Sequence, residues 1–145
     1  MPLRSTRMIW KETQMSNTKE LKAKIRSRLE NIKTIYSIKD IFYQLADDRK
    51  LYPHIVFSFD IFRALPDDRV KRNIDVIIDV YTRGTSTTQV DDMADAIEDL
   101  FDGKNLPQDD NLPTFYLTDR RPLPDEDKAI KHVQLNFELQ NYERK

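Results

Sequence analysis

Residues 87–102 carry the most regular helical pattern in the chain, and this pattern constrains the fold more than any other feature. Apolar residues recur three, four, seven, ten and eleven positions after Val90, which places them on one face of an α-helix. Thr87 or Thr88 can cap the start of this helix, and Gly103 is a natural stop at its other end. The stripe consists of Val90, Met93, Ala94, Ile97, Leu100 and Phe101. Because such a helix has to cover another apolar surface, the rest of the chain must supply that surface.

Alternating segments predict that this surface is a β-sheet. Residues 53–61, 73–82 and 131–142 each alternate apolar and polar side chains. Since successive side chains of a strand point to opposite faces, each segment gives one apolar face and one mostly polar face. A shorter strand is expected at residues 114–119, directly after Pro113. One polar face is typical of an antiparallel sheet that is open to solvent on that side.

The first part of the chain gives a weaker pattern. Residues 18–33 predict a helix, because apolar residues follow Leu21 at steps of four, four and three positions. Its other positions are rich in lysine and arginine, so we expect a basic outer face in contact with solvent. Residues 34–52 are ambiguous. We favour a short strand near residues 40–45, although residues 38–45 also fit one or two helical turns.

Together these elements predict an α+β fold with the element order α-β-β-β-α-β-β. We expect a mainly antiparallel sheet of four to five strands that is covered by two helices. Residues 1–17 are predicted to form a basic N-terminal extension and residues 18–145 a single domain. A domain of this size buries about 70% of its unfolded surface. No apolar run approaches the roughly 18 residues of a membrane-spanning helix, and no apolar stretch typical of a secretory signal follows Arg4 and Arg7.

Charge is distributed unevenly, although the net charge is only −1. Residues 1–35 contain nine lysines and arginines against three glutamates, and residues 86–110 contain eight acidic residues against Lys104 alone. Two solvated helix faces are the simpler interpretation. The alternative is that the basic and acidic segments pair within one chain or between copies of it. The apolar run Met8-Ile9-Trp10 lies in the basic segment, so the extension is either a loose tail or a segment that docks on a neighbouring subunit.

Most familiar classes of enzyme lack their essential residues here. The absence of cysteine removes disulfides, thiolate zinc sites and thiol nucleophiles. Gly84 and Gly103 are the only glycines, which excludes a glycine-rich phosphate loop. His54 and His132 are the only histidines, and neither has a recognisable partner or pocket, so we interpret both as ordinary surface or edge residues. We therefore expect no enzymatic activity, no metal and no cofactor.

Two further features have a functional and a plain interpretation. The pairs Asp67-Asp68 and Asp109-Asp110 offer oxygen ligands for a cation, but their spacing is not that of a calcium loop. Solvated turn residues are the simpler interpretation. The basic face of the first helix could contact phosphates, but it lacks interleaved aromatic residues, and we favour a solvated face. Salt-dependent binding of duplex DNA would test the alternative.

The order of the elements and two short motifs resemble a known family. The motifs are Phe42-Tyr43-Gln44 and Tyr52-Pro53-His54-Ile55-Val56, with a charged turn between them. The helix that contains Met93-Ala94 then leads through Leu100-Phe101 into a loop, and two final strands follow. Over residues 18–142 this pattern resembles the tail terminator proteins of long-tailed bacteriophages and prophages, which are also described as tail completion or tail-to-head joining proteins.

The resemblance implies a structural protein of the virion rather than an enzyme. Such subunits assemble in the cytoplasm of the host bacterium as a hexameric ring. The ring caps the head-proximal end of the tail tube, stops its polymerisation and presents a surface to the head connector. The implied partners are further copies of this chain, the tail tube protein and the head completion or connector protein. DNA only passes through the lumen, no membrane is involved, and the family transfers no catalytic residues.

Charged connections are the candidate assembly contacts. We expect long connections at residues 62–72 and 118–131 that can reach the tube, the connector or the lumen. The candidate residues are Asp67, Asp68, Arg69, Arg72, Arg120 and Arg121. A closed ring joins two unlike patches, which the segregated charge can supply. The alternative functions are another head–tail connector or neck protein and a small nucleic-acid-binding module.

Overall fold

The alternating segments form one five-stranded sheet, and both helices pack on its apolar face. A computed structural model describes residues 18–63, 71–105 and 114–143. The elements are α1 (described from residue 18 to 30), β1 (Asp40–Tyr43), β2 (His54–Arg63), β3 (Lys71–Arg83), α2 (Thr88–Phe101), β4 (Phe115–Leu123) and β5 (Ile130–Glu143). The predicted α+β class and element order are confirmed. Neither helix, over its described residues, combines the length and the hydropathy that crossing a bilayer requires.

The strands follow the order β1-β2-β3-β5-β4 across the sheet. The pair β1–β2 is parallel, and the other described neighbours are antiparallel, which confirms the prediction of a mainly antiparallel sheet. The register aligns Ile55 with Val80 and Val80 with Val133. Apolar residues of three strands therefore form continuous rows on one face, which we call the inner face.

The inner face is buried under α1 and α2. Leu21 and Leu29 of α1 are fully buried, as the predicted stripe requires. The stripe of α2 is buried as well, except for Leu100, which is only partly buried, and the ring of Phe101 lies 5.3 Å from that of Phe115 and 5.4 Å from that of Phe137. Burying a side chain of this size contributes about 1.5–3 kcal/mol before entropy is counted. The contact between the helices and the inner face is therefore the main source of stability.

Thr87, one of the two predicted capping residues, occupies the N-cap position of α2, but its side chain does not form the capping hydrogen bond. Ser86 Oγ instead accepts a hydrogen bond from the backbone N–H of Thr88 at 3.1 Å. At the other end, Gly103 has a left-handed φ of 73°, and its N–H donates to the carbonyl oxygen of Phe115 at 2.8 Å. The predicted glycine stop is confirmed, and it also ties the end of α2 to β4.

The first helix ends about one turn earlier than predicted. Three consecutive N–H groups, from Asn31 to Lys33, donate to the carbonyl oxygen three residues before them. Such bonds tighten the backbone into a turn and end the α-helical pattern. The chain then reverses at Ser37, with φ of 54°, and the N–H of Ile38 donates to the Lys33 carbonyl at 2.9 Å. The strand favoured near residues 40–45 follows as β1.

The first charged connection is shorter than predicted. β2 extends to Arg63 and β3 begins at Lys71, because Arg63 still pairs with Arg72 across the ladder. Arg72 therefore lies in a strand, and the prediction of a connection over residues 62–72 is wrong at both ends. Outside the described residues lie the extension 1–17, Asp67, Asp68, Arg69 and the pair Asp109-Asp110.

The second charged connection is also shorter, because β4 continues beyond its predicted end. Arg120 and Arg121 both pair with residues of β5, so the prediction that places them in a connection over residues 118–131 is wrong. A register shift between Leu117 and Asp119 interrupts the alternation of side chains. The sequence pattern therefore stops at this point, although the strand does not.

The connection from β1 to β2 crosses the face of the sheet opposite the helices, which we call the outer face. Because β1 and β2 are parallel, the chain has to return from Tyr43 to His54 along the strand direction. It does so without a helix, over residues 44–53, which we call the return loop. The loop begins at Gln44, with φ of 69°. Its residues line a cleft together with Val56 and other outer-face residues of the sheet.

Candidate assembly surface

The outer face is acidic within the described part of the chain. Its carboxylates on the strands are Asp40, Asp60, Asp75, Asp79, Asp119 and Glu138. Two guanidinium groups on this face are paired: Arg83 lies 3.4 Å from Asp127, and Arg121 lies 3.2 Å from Asp119. A surface with this charge repels nucleic acid and favours cationic partners.

Rings stack in a row across three strands at one end of the outer face. His54 and Tyr81 are 4.8 Å apart at 16°, and Tyr81 and His132 are 4.1 Å apart at 18°. Tyr52 of the return loop and Phe42 of β1 flank the row, with their rings 4.8 and 5.8 Å from that of His54. Aromatic pairs at such separations contribute about 0.5–1.5 kcal/mol each beyond the area they bury. The row therefore stiffens this end of the sheet.

His54 is buried, so the expectation of an ordinary surface or edge histidine is wrong for this residue. It is only 1% exposed, because the return loop lies over it. Its Nδ1 donates to the carbonyl oxygen of Leu51 at 3.0 Å. Burial lowers the pKa of the imidazole, while the bond to Leu51 acts in the opposite direction. The ring is neutral at neutral pH and forms part of the stacked row.

Two side chains of β5 converge on one carboxylate of β3. Nε2 of His132 lies 2.7 Å from Asp79 Oδ1, and Nε2 of Gln134 donates to the same oxygen at 3.0 Å. Burial, and then the charge of Asp79, raises the pKa of Tyr81 to about 12, so its hydroxyl stays protonated. His132 is thus held between a ring and a carboxylate. These contacts fix its orientation without creating a free base.

Carboxylates meet at the other end of the outer face. Asp60 lies opposite Asp75, and Asp75 lies opposite Glu138, which brings three acidic residues side by side. We call them the acidic row. Burial raises the pKa of Asp75, and the charges of Glu138 and Asp60 raise it further. Because like charges directly across a ladder destabilise a sheet, this row favours a cationic contact.

A cleft of about 460 Å³ opens between the return loop and the connection from β4 to β5. Its floor includes Val56 and Tyr81. Leu45 on its rim is 82% exposed, and Leu51 in the same loop is 64% exposed. The charged residues of its lining are Asp48, Lys50, Asp79 and Asp125. The cleft therefore combines exposed apolar side chains with an excess of negative charge.

The described residues contain no group of three or more histidine, aspartate or glutamate side chains placed to hold a metal ion. His132 and Asp79 form a cluster with the side-chain amide of Gln134. The contacts in this cluster are hydrogen bonds among these three side chains. Nothing in this geometry assembles a nucleophile, a base and an orienting group.

Cationic side chains of α1 lie against the protein, so the expectation of a solvated basic face is wrong for three of them. Arg26 Nη1 donates to the Ile41 carbonyl oxygen at 2.7 Å, and its guanidinium carbon lies 5.5 Å from the centre of the Phe57 ring. Lys22 Nζ lies 4.5 Å from the centre of the Tyr43 ring. Long cationic side chains often cover apolar surface in this way while the charged group finds acceptors.

Arg28 makes the corresponding contacts on the other side of α1. Its guanidinium donates to the carbonyl oxygens of Leu100 and Asn105, and it lies 5.4 and 5.7 Å from the rings of Phe101 and Phe115. Burial lowers the pKa of this group. Arg28 therefore joins α1 to the end of α2 and to β4.

Of the candidate assembly residues, Arg120 and Arg121 point to opposite faces of the sheet. Arg120 Nη1 lies 2.7 Å from Asp95 Oδ1 and 3.3 Å from Glu98 Oε1, so it pairs with α2 on the inner side. Arg121 lies on the outer face beside Asp119. The structure thus separates these two neighbours in sequence and does not bring them into one site.

The alternating pattern does not by itself predict the stacked row or the acidic row as clusters. A signal was present, because His54, Tyr81 and His132 all occupy polar-face positions of alternating strands. Recognising the cluster additionally requires the register, which places these three positions side by side. Register is set by long-range strand pairing, and alternation alone does not define it.

Comparisons with known proteins add a family and a related fold. A sequence profile described as tail completion protein gp17 matches residues 23–140. A chain from the virion of a native gene transfer agent particle superposes with a TM-score of 0.67 at 15% identity, over 81% of this chain and 91% of its own length. At that identity the similarity shows a shared fold. A second solved chain superposes with a TM-score of 0.44 at 17% identity, over 70% and 79% of the two chains, and carries no argument. Among curated protein sequences, none matches this chain significantly.

Proposed function

Because the chain belongs to the tail completion protein gp17 family, we propose that it forms a ring at the head-proximal end of a bacteriophage tail tube. The ring, a hexamer, ends polymerisation of the tube and joins the tail to the head connector. The family match over residues 23–140 is the observation that carries this proposal. The related fold in a gene transfer agent virion supports a place in a phage-like particle.

The surface chemistry supports assembly into a ring. Rings with rotational symmetry join two different patches of adjacent subunits. The outer face offers one patch, with an acidic row at one end and a cleft at the other. The N-terminal extension of residues 1–17 carries the opposite charge, with Arg4, Arg7 and Lys11 against Glu12. Patches of unlike charge also set the order in which subunits meet.

We further propose contacts to the neighbouring components of the virion. In sequence, Asp67, Asp68 and Arg69 come between β2 and β3. Arg72 belongs to β3, and Arg121 is exposed in β4. These are the proposed contacts to the tail tube protein or to the head completion or connector protein. DNA passes through the lumen without tight binding, and no catalytic step belongs to this role. The protein assembles in the cytoplasm of the host bacterium and remains in the virion.

Arg120, the sixth candidate, calls for separate treatment. Its ion pairs with Asp95 and Glu98 hold β4 to α2, so a charge reversal there would disturb the fold. Arg69→Glu with Arg121→Glu is the sharper test of a joining contact. We expect folded protein in normal amounts but fewer joined particles. Normal infectious particles from this variant would contradict the assignment of these two residues.

The decisive experiment is deletion of this one gene from its parent genome, followed by negative-stain electron microscopy of the particles. Overlong tails without heads, beside filled heads, are the expected result. Tails of normal length lying free beside filled heads would instead favour another connector or neck protein. Intact particles would contradict a structural role.

A nucleic-acid-binding module is the remaining alternative, and the contacts of α1 weigh against it. Arg26 and Arg28 are engaged with backbone carbonyls and aromatic rings of the same chain. Binding of duplex DNA by the isolated chain, with strong salt dependence, would support this alternative. We expect no such binding.

A further inference from the structure

We propose that residues 4–11 of one copy dock on the outer face of a neighbouring copy, with Trp10 in the cleft, Arg4 on the acidic row and Arg7 between the two. The inference rests on the proposed function, since it requires subunits that meet in an assembly. It assigns an occupant to the cleft and a role to the basic N-terminal extension of residues 1–17.

The cleft has the chemistry that such a segment requires. Its volume of about 460 Å³ lies within the range of about 300–1,000 Å³ for sites that take a bulky group. Leu45 and Leu51 expose large apolar side chains at and beside its rim. Asp48 and Asp125 add negative charge at its edges. A tryptophan flanked by cations therefore finds both apolar contact and opposite charge there.

The segment matches the outer face in composition and length. It contains Arg4, Arg7 and Lys11 around the apolar run Met8-Ile9-Trp10. From Arg4 to Trp10 an extended chain spans about 20 Å, since each residue adds about 3.3 Å. From Asp75 to Tyr81, six residues of β3 also span about 20 Å at the rise of a strand. One extended segment can therefore reach the cleft and the acidic row at once.

The occupant comes from a neighbouring copy because the return loop blocks the path of a chain's own N-terminal segment to its outer face. Helix α1 lies on the inner face, and its contact between Lys22 and Tyr43 places its first turn beside β1. A path from there to the chain's own outer face turns around the β1 edge, where the return loop already lies over β1 and β2. The segment of another subunit approaches the open side of the cleft without crossing this loop.

Cross-linking in assembled particles tests the docking. Because the chain has no native cysteine, only the introduced thiols of this chain can react. One population of subunits carries Met8→Cys and a tag, and a second population carries Ala46→Cys in the cleft. Both are produced together with the remaining particle proteins, and purified particles are treated with a short bis-maleimide. The matched control replaces Ala46→Cys with Ala23→Cys, on the exposed side of α1.

We expect the adduct between positions 8 and 46 to exceed that between positions 8 and 23 by about tenfold, since docking raises the effective concentration of the two thiols. Trp10→Ala in the tagged subunit should abolish the difference. Equal yields at the two positions, in particles that contain the chain, would overturn the docking and leave the proposed function intact. Absence of the chain from the particles would overturn both.

A second measurement separates docking on a neighbour from docking within one chain. A subunit that carries both Met8→Cys and Ala46→Cys is diluted with an excess of wild-type subunits in the particle. Adducts between chains should fall in proportion to the dilution. A strong adduct within one chain that persists on dilution would contradict the proposed occupant.

Charge provides the last test. Arg4→Glu with Arg7→Glu should lower the adduct between positions 8 and 46 by about tenfold, because the acidic row then repels the segment. Lys33→Glu with Lys104→Glu makes the same change of net charge elsewhere and should leave the yield unchanged. Asp60→Arg in the receiving subunit should restore it. An unchanged yield in the first variant would refute the contact with the acidic row.

Discussion

Replacing the guanidinium of Arg28 should destabilise the fold, because this side chain holds α1 to the end of α2. Arg28→Met keeps an unbranched stem against the inner layer and removes the charge and the donors. The substitution deletes the bonds to the carbonyl oxygens of Leu100 and Asn105 and the contacts with two aromatic rings. It is therefore a direct test of the conclusion that this part of α1 has a structural role.

The expected magnitude follows from these contacts. A hydrogen bond from a charged donor contributes about 1.5–3 kcal/mol. The bond to Leu100 is partly buried, whereas the bond to Asn105 is exposed and water replaces it. The contacts with Phe101 and Phe115 add about 0.5–1 kcal/mol each. Burial of the charge, which lowers the pKa of Arg28, offsets part of this gain. We expect the free energy of unfolding to fall by about 1–3 kcal/mol.

Urea unfolding followed by circular dichroism measures this loss, and thermal unfolding should show a decrease of about 2–4 °C for each kcal/mol. The matched control is Lys24→Met on the same helix, for which we expect a change within about 0.5 kcal/mol. Equal effects of the two substitutions would refute the structural role of Arg28. If both variants kept their stability and lost affinity for duplex DNA, the nucleic-acid alternative would replace it.

Three further substitutions test the outer face and the end of α2. The pKa of His54 is lowered from 6.5 in the folded chain, so the unfolded chain binds a proton at a higher pH than the folded chain does. The free energy of unfolding should therefore fall as the pH drops below about 6.5. The slope is at most about 1.4 kcal/mol per pH unit, and His54→Phe should flatten it in urea unfolding at several pH values. Asp75→Asn should stabilise the chain at pH 7 by about 0.2–1 kcal/mol by relieving the acidic row, and a lower melting temperature would contradict this. Gly103→Ala should cost about 1–2 kcal/mol because φ is 73°, and unchanged thermal stability would show that the turn tolerates a side chain.

The inner half of the structure could be predicted from the sequence, because it depends on patterns within single elements. The stripe of α2 from Val90 to Phe101 is buried as its spacing predicts, apart from Leu100, which is partly buried. Inward residues of β3 such as Val76 and Ile78 are fully buried as alternation predicts. Local patterns are sufficient here because one apolar face determines how each element packs.

Other features depended on contacts that no local pattern shows. The sequence around Arg120 predicts a loop, yet Arg120 lies within β4. This is possible because Asp95 and Glu98 of α2 neutralise its charge on the inner side of the sheet. Alternation correctly placed His54 on the polar face, but the parallel pairing of β1 with β2 brings the return loop over it. In both cases a partner more than one element away decides the environment of the side chain. Such partners follow from topology and register, which a single sequence does not define.

The division between the two faces bears on how a protein of this family can vary. Stability comes mainly from the inner face, where a change at Phe101 disturbs packing with Phe115 and Phe137. Assembly depends, in our proposal, on outer-face features such as the exposed Leu45 and the acidic row, which contribute little to the core. Substitutions on the outer face can therefore alter which partner binds without unfolding the chain.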